Sequence, residues 1–374
     1  MVFLTPPFLC KGGVLVRKGA VVLLAILLAA ALAVMPFLCS HCSLRPERAT
    51  AYYEEKARRD AAADDSPEAQ LMRMLLGGAA EETKAMEPSR PGYSNYGLSL
   101  ACGALLCCGE VFLEWKYRKK GKALLFPLFA AVSLAVPLGL LGSRIVYCAV
   151  NAGFYLHDIQ SPAAMLRVWE GGLSLAGALC FAALGGWIAA KLCRIPAREI
   201  LDLLAPAFVF FAAWACFSDR LIEAGYGPED GLPLTVIQGE MRMDTARVTF
   251  TLLLILAVLR RDFPRSVFLY GSLMILLESL RRDGHMMWGF VHAEQVFALC
   301  MALFALLYFA IKIKRFWLAI GATALMAGIV IALEFALDRS PISDWLLYGV
   351  FALVMAGYIA LGLVWSRKAE KALS

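Results

Sequence analysis

An all-α polytopic membrane protein is the fold class predicted for this chain, on three observations. Sixty per cent of its 374 residues are hydrophobic, and the mean hydropathy is +0.68. Apolar runs of roughly 15 to 23 residues recur along almost the whole length, and a helix crossing a hydrocarbon core of about 30 Å needs about 20 apolar residues. The breaks between runs are charged, and every second break is rich in Lys and Arg.

Reading the runs between breaks places ten spans near 20–39, 95–113, 123–141, 171–190, 200–218, 246–260, 264–280, 289–311, 316–335 and 345–365. The first, "AVVLLAILLAAALAVMPFLC", follows Lys11, Arg17 and Lys18 as a secretory signal would. Its apolar run exceeds a usual signal core, and "VMPFLCSHCS" offers no small-x-small cleavage site, so an uncleaved anchor is expected. In "CSHC", Cys39, His41 and Cys42 have the separation of a metal or redox pair, but no second pair lies nearby, and residues at a helix end are the simpler reading. Most other cysteines fall inside spans, where Cys acts as a small apolar residue.

Four regions follow: 1–40, a cytoplasmic N-terminus and anchor; 41–93, an external helical segment; 94–312, a transmembrane core of seven spans; and 313–374, a transmembrane hairpin with a cytoplasmic tail. In the polar segment, Ser66 can cap a helix with Pro67 in its first turn, and Gly77 and Gly78 can end it. Within the core, 246–260 is the shortest run. Orientation follows from basic residues, which favour the cytoplasmic side. With the N-terminus inside, "KGGVLVRK", "EWKYRKKGK", "KLCRIPAR", "RRDFPR", "KIKR" and "SRKAEK" hold 20 of the 36 Lys and Arg residues. Both termini are then cytoplasmic, and "LESLRRDGHMMWG" (277–289) faces outward.

Arg144, Arg220 and Arg281 each fall at the external end of a span, where a guanidinium can grip a phosphate through two parallel hydrogen bonds or merely snorkel to the interface. Glu278 precedes Arg281 by three residues and Arg282 by four, so on a continuing helix all three share a face. Glu278 can then orient Arg281 while Arg282 or His285 points to lipid headgroups. Glu170 before Gly171 and Gly172 can play a similar orienting part, and the two glycines allow close approach of a lipid or of another helix.

The ordered pieces "YGLSLACGALL" from Tyr96, "GSRIVY" (142–147), "VWEGGLSLAGA" (168–178), "DLLAPA" (202–207), "RLIEAGYG" (220–227) and "ESLRRD" (278–283) followed by Gln295 resemble the bacterial prolipoprotein diacylglyceryl transferase family over about 200 residues. The resemblance implies an Lgt-like seven-span core, with an added N-terminal span and a C-terminal two-helix hairpin. It implies a transferase that takes phosphatidylglycerol and the lipobox cysteine of a prolipoprotein signal peptide, forms a thioether to diacylglycerol, and releases glycerol phosphate at the outer face of the bacterial cytoplasmic membrane. No cofactor, metal or nucleic acid is implied. Carried over residue by residue, Arg220, Glu223, Glu278 and Arg281 are catalytic candidates; His285 or His292 stands as a catalytic substitute base, not carried over from the family. Tyr96, Arg144, Glu170, Gly171, Gly172, Ser174 and Arg282 are lipid or phosphate contacts, and Asp202, Pro206, Gly227 and Gln295 are structural. The chain departs from the commoner pattern: Ala176 stands at a family histidine and Met274 at a family arginine. Arg220 and Glu223 lie about one turn farther from Pro206 than the family spacing, and an ungapped match puts Cys216 there. The alternative is therefore an Lgt-like protein that binds lipid headgroups or lipoproteins without turnover.

Overall fold

The structure, a computed structural model, describes residues 11–38, 93–153, 155–156, 165–168, 171–237, 239–259, 262–283, 286–288 and 291–372. The expected external helix around Ser66, the "CSHC" stretch, Glu170 and His285 lie outside the described residues. Among the described residues there are ten α-helices: α1 (Lys11–Val34), α2 (Asn95–Tyr117), α3 (Leu125–Val150), α4 (Leu175–Leu192), α5 (Ala197–Ser218), α6 (Thr245–Val258), α7 (Phe263–Ser279), α8 (Ala293–Lys312), α9 (Phe316–Arg339) and α10 (Asp344–Lys371). Among the described residues eight of these are long and apolar enough to cross a membrane; α6, with 14 residues, and α7, with 17, are shorter. The protein is a multi-pass, all-α membrane protein.

Local chemistry sets the helix ends. Ser94, Ser174 and Asp244 each accept a backbone N–H of the first turn of α2, α4 and α6, satisfying a donor that the helix itself cannot. At the opposite end of the bundle, α2, α4 and α8 run into turns whose basic residues, Lys119, Arg194 and Lys314, are left-handed, with φ of 50°, 56° and 55°. Such a conformation costs a non-glycine residue about 1–2 kcal/mol. It is offset by closing bonds to orphan carbonyls, such as Ile195 N to Ala190 O at 2.9 Å.

Helices α3 and α4 pack along their lengths, as do α7 and α8 and α5 and α6. Gly271 on α7 makes the second contact possible, because a Cβ there would meet Ala298 O at 2.5 Å. Helices α2, α4, α6 and α7 pack around α5, whose inner face is nearly solvent-free. The α9–α10 hairpin docks on α7 and α8 through polar pairs at several depths: Arg265 with Glu370, Gln295 with Glu334, and Tyr348 Oη donating to Ser279 O. Asp202, near the start of α5, accepts Phe263 N at 2.7 Å and so anchors the start of α7.

Two short antiparallel hairpins, β1 (Leu234–Ile237) with β2 (Glu240–Met243) and β3 (Met287–Trp288) with β4 (Val291–His292), were not anticipated. The second corrects a span boundary. The apolar run from 289 reads as helix, but His292 is the helix cap: its ring accepts a backbone N–H of the first turn while Gln295 accepts His292 N, so α8 begins at Ala293. Similarly, α4 begins at Leu175 rather than 171, because Gly171 and Gly172 have φ of 85° and 81°.

Candidate functional site

A cavity opens between α2, α3, α4 and α5, enclosing about 1780 Å³ with its open mouth included. Its deep walls are apolar, formed by residues such as Leu100, Ala104, Val136, Leu179 and Phe211, and Met35 and Leu38 after α1 close one side. Its polar end is built where α5, α7 and α8 meet, from Asp219, Glu278, Arg281, Asp283 and Glu294.

Arg281 is the centre of this end. Its Nη1 lies 3.3 Å from Asp219 and 3.6 Å from Glu278, and its Nη2 is 2.5 Å from Asp283. The side chain is 12% exposed, against 3% for Glu278 and 4% for Asp283. Burial pulls the guanidinium down, but the carboxylates of Asp283, Glu278 and Asp219 raise it by more, so it sits well above an ordinary arginine and is a permanent cation. One cation faces three carboxylates. A phosphate therefore reaches Arg281 by displacing one of them, whereas hydroxyl groups are drawn directly to carboxylate oxygens. Glu278 Oε2 is buried and has no hydrogen-bond partner among the described residues, the kind of orphan that calls for an explanation.

The Glu278–Arg281 pairing expected from spacing is present, but the shared helical face is not. Helix α7 ends at Ser279, Arg281 N turns back to Glu278 O, and Arg282 N bonds Tyr226 O. Arg282 is thereby taken off that face. Its guanidinium meets Tyr348 Oη at 3.2 Å and Asp344 at 3.8 Å, so it faces the C-terminal hairpin.

Arg144 also departs from expectation. It is buried on α3, and its guanidinium donates to the carbonyls of Met165, Arg167, Gly171 and Gly172. Those bonds shape the segment that leads into α4. Gly172 is pressed against Tyr147, whose ring a Cβ there would overlap, which is a packing role for that glycine. Ser174 caps α4 and donates to Glu294 Oε1 at 2.8 Å.

Arg220 sits on the turn after α5, and its Nε is 3.3 Å from Asp244. Arg247 on α6 approaches the same Asp244 oxygen at 3.4 Å. Two guanidiniums, 33% and 52% exposed, share one carboxylate that is 1% exposed, leaving a net positive charge. Glu223 ends that turn in a left-handed conformation with φ of 56° and borders the cavity, as does half-buried Tyr96. Gly227 lies close against Leu280 O, Pro206 is buried within α5, and Gln295 Nε2 bonds Ile275 O and Glu334. His292, the alternative base, spends a ring nitrogen on capping α8. Sequence reading missed Asp219, Asp244, Arg247 and Glu294. The available signal for Asp219 and Glu294 was a carboxylate adjoining a matched motif residue, Arg220 or Gln295, at the end of an apolar run.

Comparison with known proteins bears on this geometry. The chain is 36% identical to the phosphatidylglycerol–prolipoprotein diacylglyceryl transferase of Mycobacterium tuberculosis over 100 residues, 26% of this chain and 21% of that protein. It is 29% identical over 140 residues to the Nocardia farcinica protein of that name, covering 37% and 28% of the two chains. To phosphatidylglycerol–prolipoprotein diacylglyceryl transferase 2 of Streptomyces coelicolor it is 34% identical over 99 residues, 26% and 31%. These matches span less than a third of each relative's length. A family model described as prolipoprotein diacylglyceryl transferase matches residues 93–311, more than half the chain, and takes in α2 to α8 with the whole charged end of the cavity. On that match the chain belongs to the prolipoprotein diacylglyceryl transferase family.

Proposed function

We propose that this protein transfers the diacylglyceryl group of phosphatidylglycerol to the lipobox cysteine of a prolipoprotein signal peptide. The reaction is placed at the outer face of the bacterial cytoplasmic membrane, with both termini cytoplasmic, on the strength of the basic-residue asymmetry. One observation carries the reading: a single cavity joins apolar walls deep among α2–α5 to a charged end. Acyl chains suit the walls, and the headgroup suits the end. The thiol sulfur attacks the glycerol carbon that bears the phosphate, and glycerol phosphate departs. Arg281 stabilises the charge on that leaving group once the phosphate has displaced Asp219 or Asp283, an effect that grows where water is excluded. Arg220 and Arg247, sharing Asp244, draw the anionic lipid toward the cavity. Glu278 Oε1 holds Arg281, and Oε2 accepts a hydroxyl of the glycerol headgroup. No step calls for a metal or cofactor.

The test is a purified protein in lipid bicelles containing phosphatidylglycerol and a lipobox peptide. Thioether product and glycerol phosphate should appear in equal amounts. Retention of phosphatidylglycerol without product would favour the second reading, a binder without turnover. That reading draws on Ala176, Met274 and the three carboxylates around Arg281.

A further inference from the structure

The transferase reading leaves the thiol proton without an acceptor. A cysteine thiol ionises near pH 8.5, and the thiolate is the nucleophile, so a base beside it matters. We infer that Glu294, on the first turn of α8, is that base. The inference rests on the transferase reading and deepens it.

Asp219, Glu278 and Asp283 all lean on Arg281. Glu294 borders the same cavity, is 6% exposed, and has no cation within ion-pair distance among the described residues. Its position is fixed instead by neutral donors: Ser174 Oγ donates to Oε1 at 2.8 Å and Ala176 N to Oε2 at 3.1 Å. These bonds pin the carboxylate in one orientation at the start of α4 and leave each oxygen a second lone pair. Among the described residues the alternative base, His292, is less well placed, since it caps its own helix. Among the described residues the titratable and charged groups around Glu294 are Glu278 and Arg281 at the end of α7, Asp219 and Cys216 on the α5 side, Tyr270 on α7 and Cys180 on α4.

The step balances with the two proposed substrates alone. The S–H proton moves to a Glu294 oxygen, and the sulfur pair forms the C–S bond to glycerol. The C–O bond to phosphate breaks, its electron pair leaves on glycerol phosphate, and Glu294 returns its proton to that phosphate or to water.

Glu294→Gln keeps both contacts, because the amide oxygen can accept Ala176 N–H and the amide nitrogen can donate to Ser174 Oγ, but it cannot take a proton. With phosphatidylglycerol bicelles and a free-thiol lipobox peptide, the variant should lose about 100-fold or more in kcat, within the range of general-base effects. Its KM for phosphatidylglycerol should stay within about threefold, and the loss of rate that wild type shows toward acid pH should vanish. Glu294→Asp disturbs the contacts but keeps a carboxylate, so it should be faster than the Gln variant and retain the acid limb. Equal rates for Asp and Gln variants, or an acid limb that survives in Glu294→Gln, would overturn the assignment and leave the transferase reading standing. An inactive wild type would overturn both.

Discussion

Replacing Arg144 separates a role in holding the fold from a role in holding lipid. Its Nε and both terminal nitrogens donate to four carbonyls, at Met165, Arg167, Gly171 and Gly172, and Tyr147 and Tyr155 flank the guanidinium at 5.8 and 5.6 Å. A hydrogen bond from a charged donor contributes about 1.5–3 kcal/mol where the partner stays buried. The four bonds share one cation, and the segment can admit water when it is gone, so the sum is not additive. Arg144→Ala should then cost about 3–5 kcal/mol, as does breaking a buried charged contact by removing one side. Arg144→Lys offers three donors from one nitrogen in place of a planar fork, satisfies about two of the carbonyls, and should lose about 2 kcal/mol. Unfolding midpoints in lipid-containing micelles read the loss, and phosphatidylglycerol binding is measured well below each transition. Unchanged unfolding of Arg144→Ala together with lost lipid binding would refute the reasoning and restore Arg144 as a phosphate ligand.

Gly172→Ala should destabilise by at least about 1–2 kcal/mol, because φ is 81° and the new methyl overlaps Tyr147; the same unfolding assay checks it. Glu278→Gln combined with Arg281→Gln should be little worse than Arg281→Gln alone in transfer rate, because the two groups act as one unit; independent losses would give Glu278 a separate job. Arg220→Gln and Arg247→Gln should each weaken binding to anionic vesicles, by an amount that shrinks as salt is raised, since both guanidiniums are partly exposed. Salt-independent losses would contradict a headgroup-steering role.

The helical membrane architecture is legible in the sequence because the solvent imposes it: a run such as "AVVLLAILLAAALAV" has few other stable states in lipid. The pairing of Glu278 with Arg281 is legible for a local reason, a spacing of three residues. What escapes is whatever depends on helices meeting. Asp219 reaches Arg281 across 62 positions of chain, and Glu294 meets Ser174 across 120. No periodicity within one segment encodes those contacts. Arg144 misled for a related reason. Its place at a span end suits a phosphate, but the segment after α3 folds back and supplies four carbonyls. The early end of α7 at Ser279 likewise turns Arg282 toward Asp344 and Tyr348, residues of a hairpin that lies beyond the family match.

Lipidation of a reporter lipoprotein in cells depleted of their own transferase tests the central claim most directly. The account predicts that the wild-type chain restores a diacylglyceryl-modified reporter, whereas Arg281→Gln, accumulating in the membrane to the same level, does not. An unmodified reporter despite full membrane insertion of the wild-type chain, or equal modification by Arg281→Gln, would contradict it.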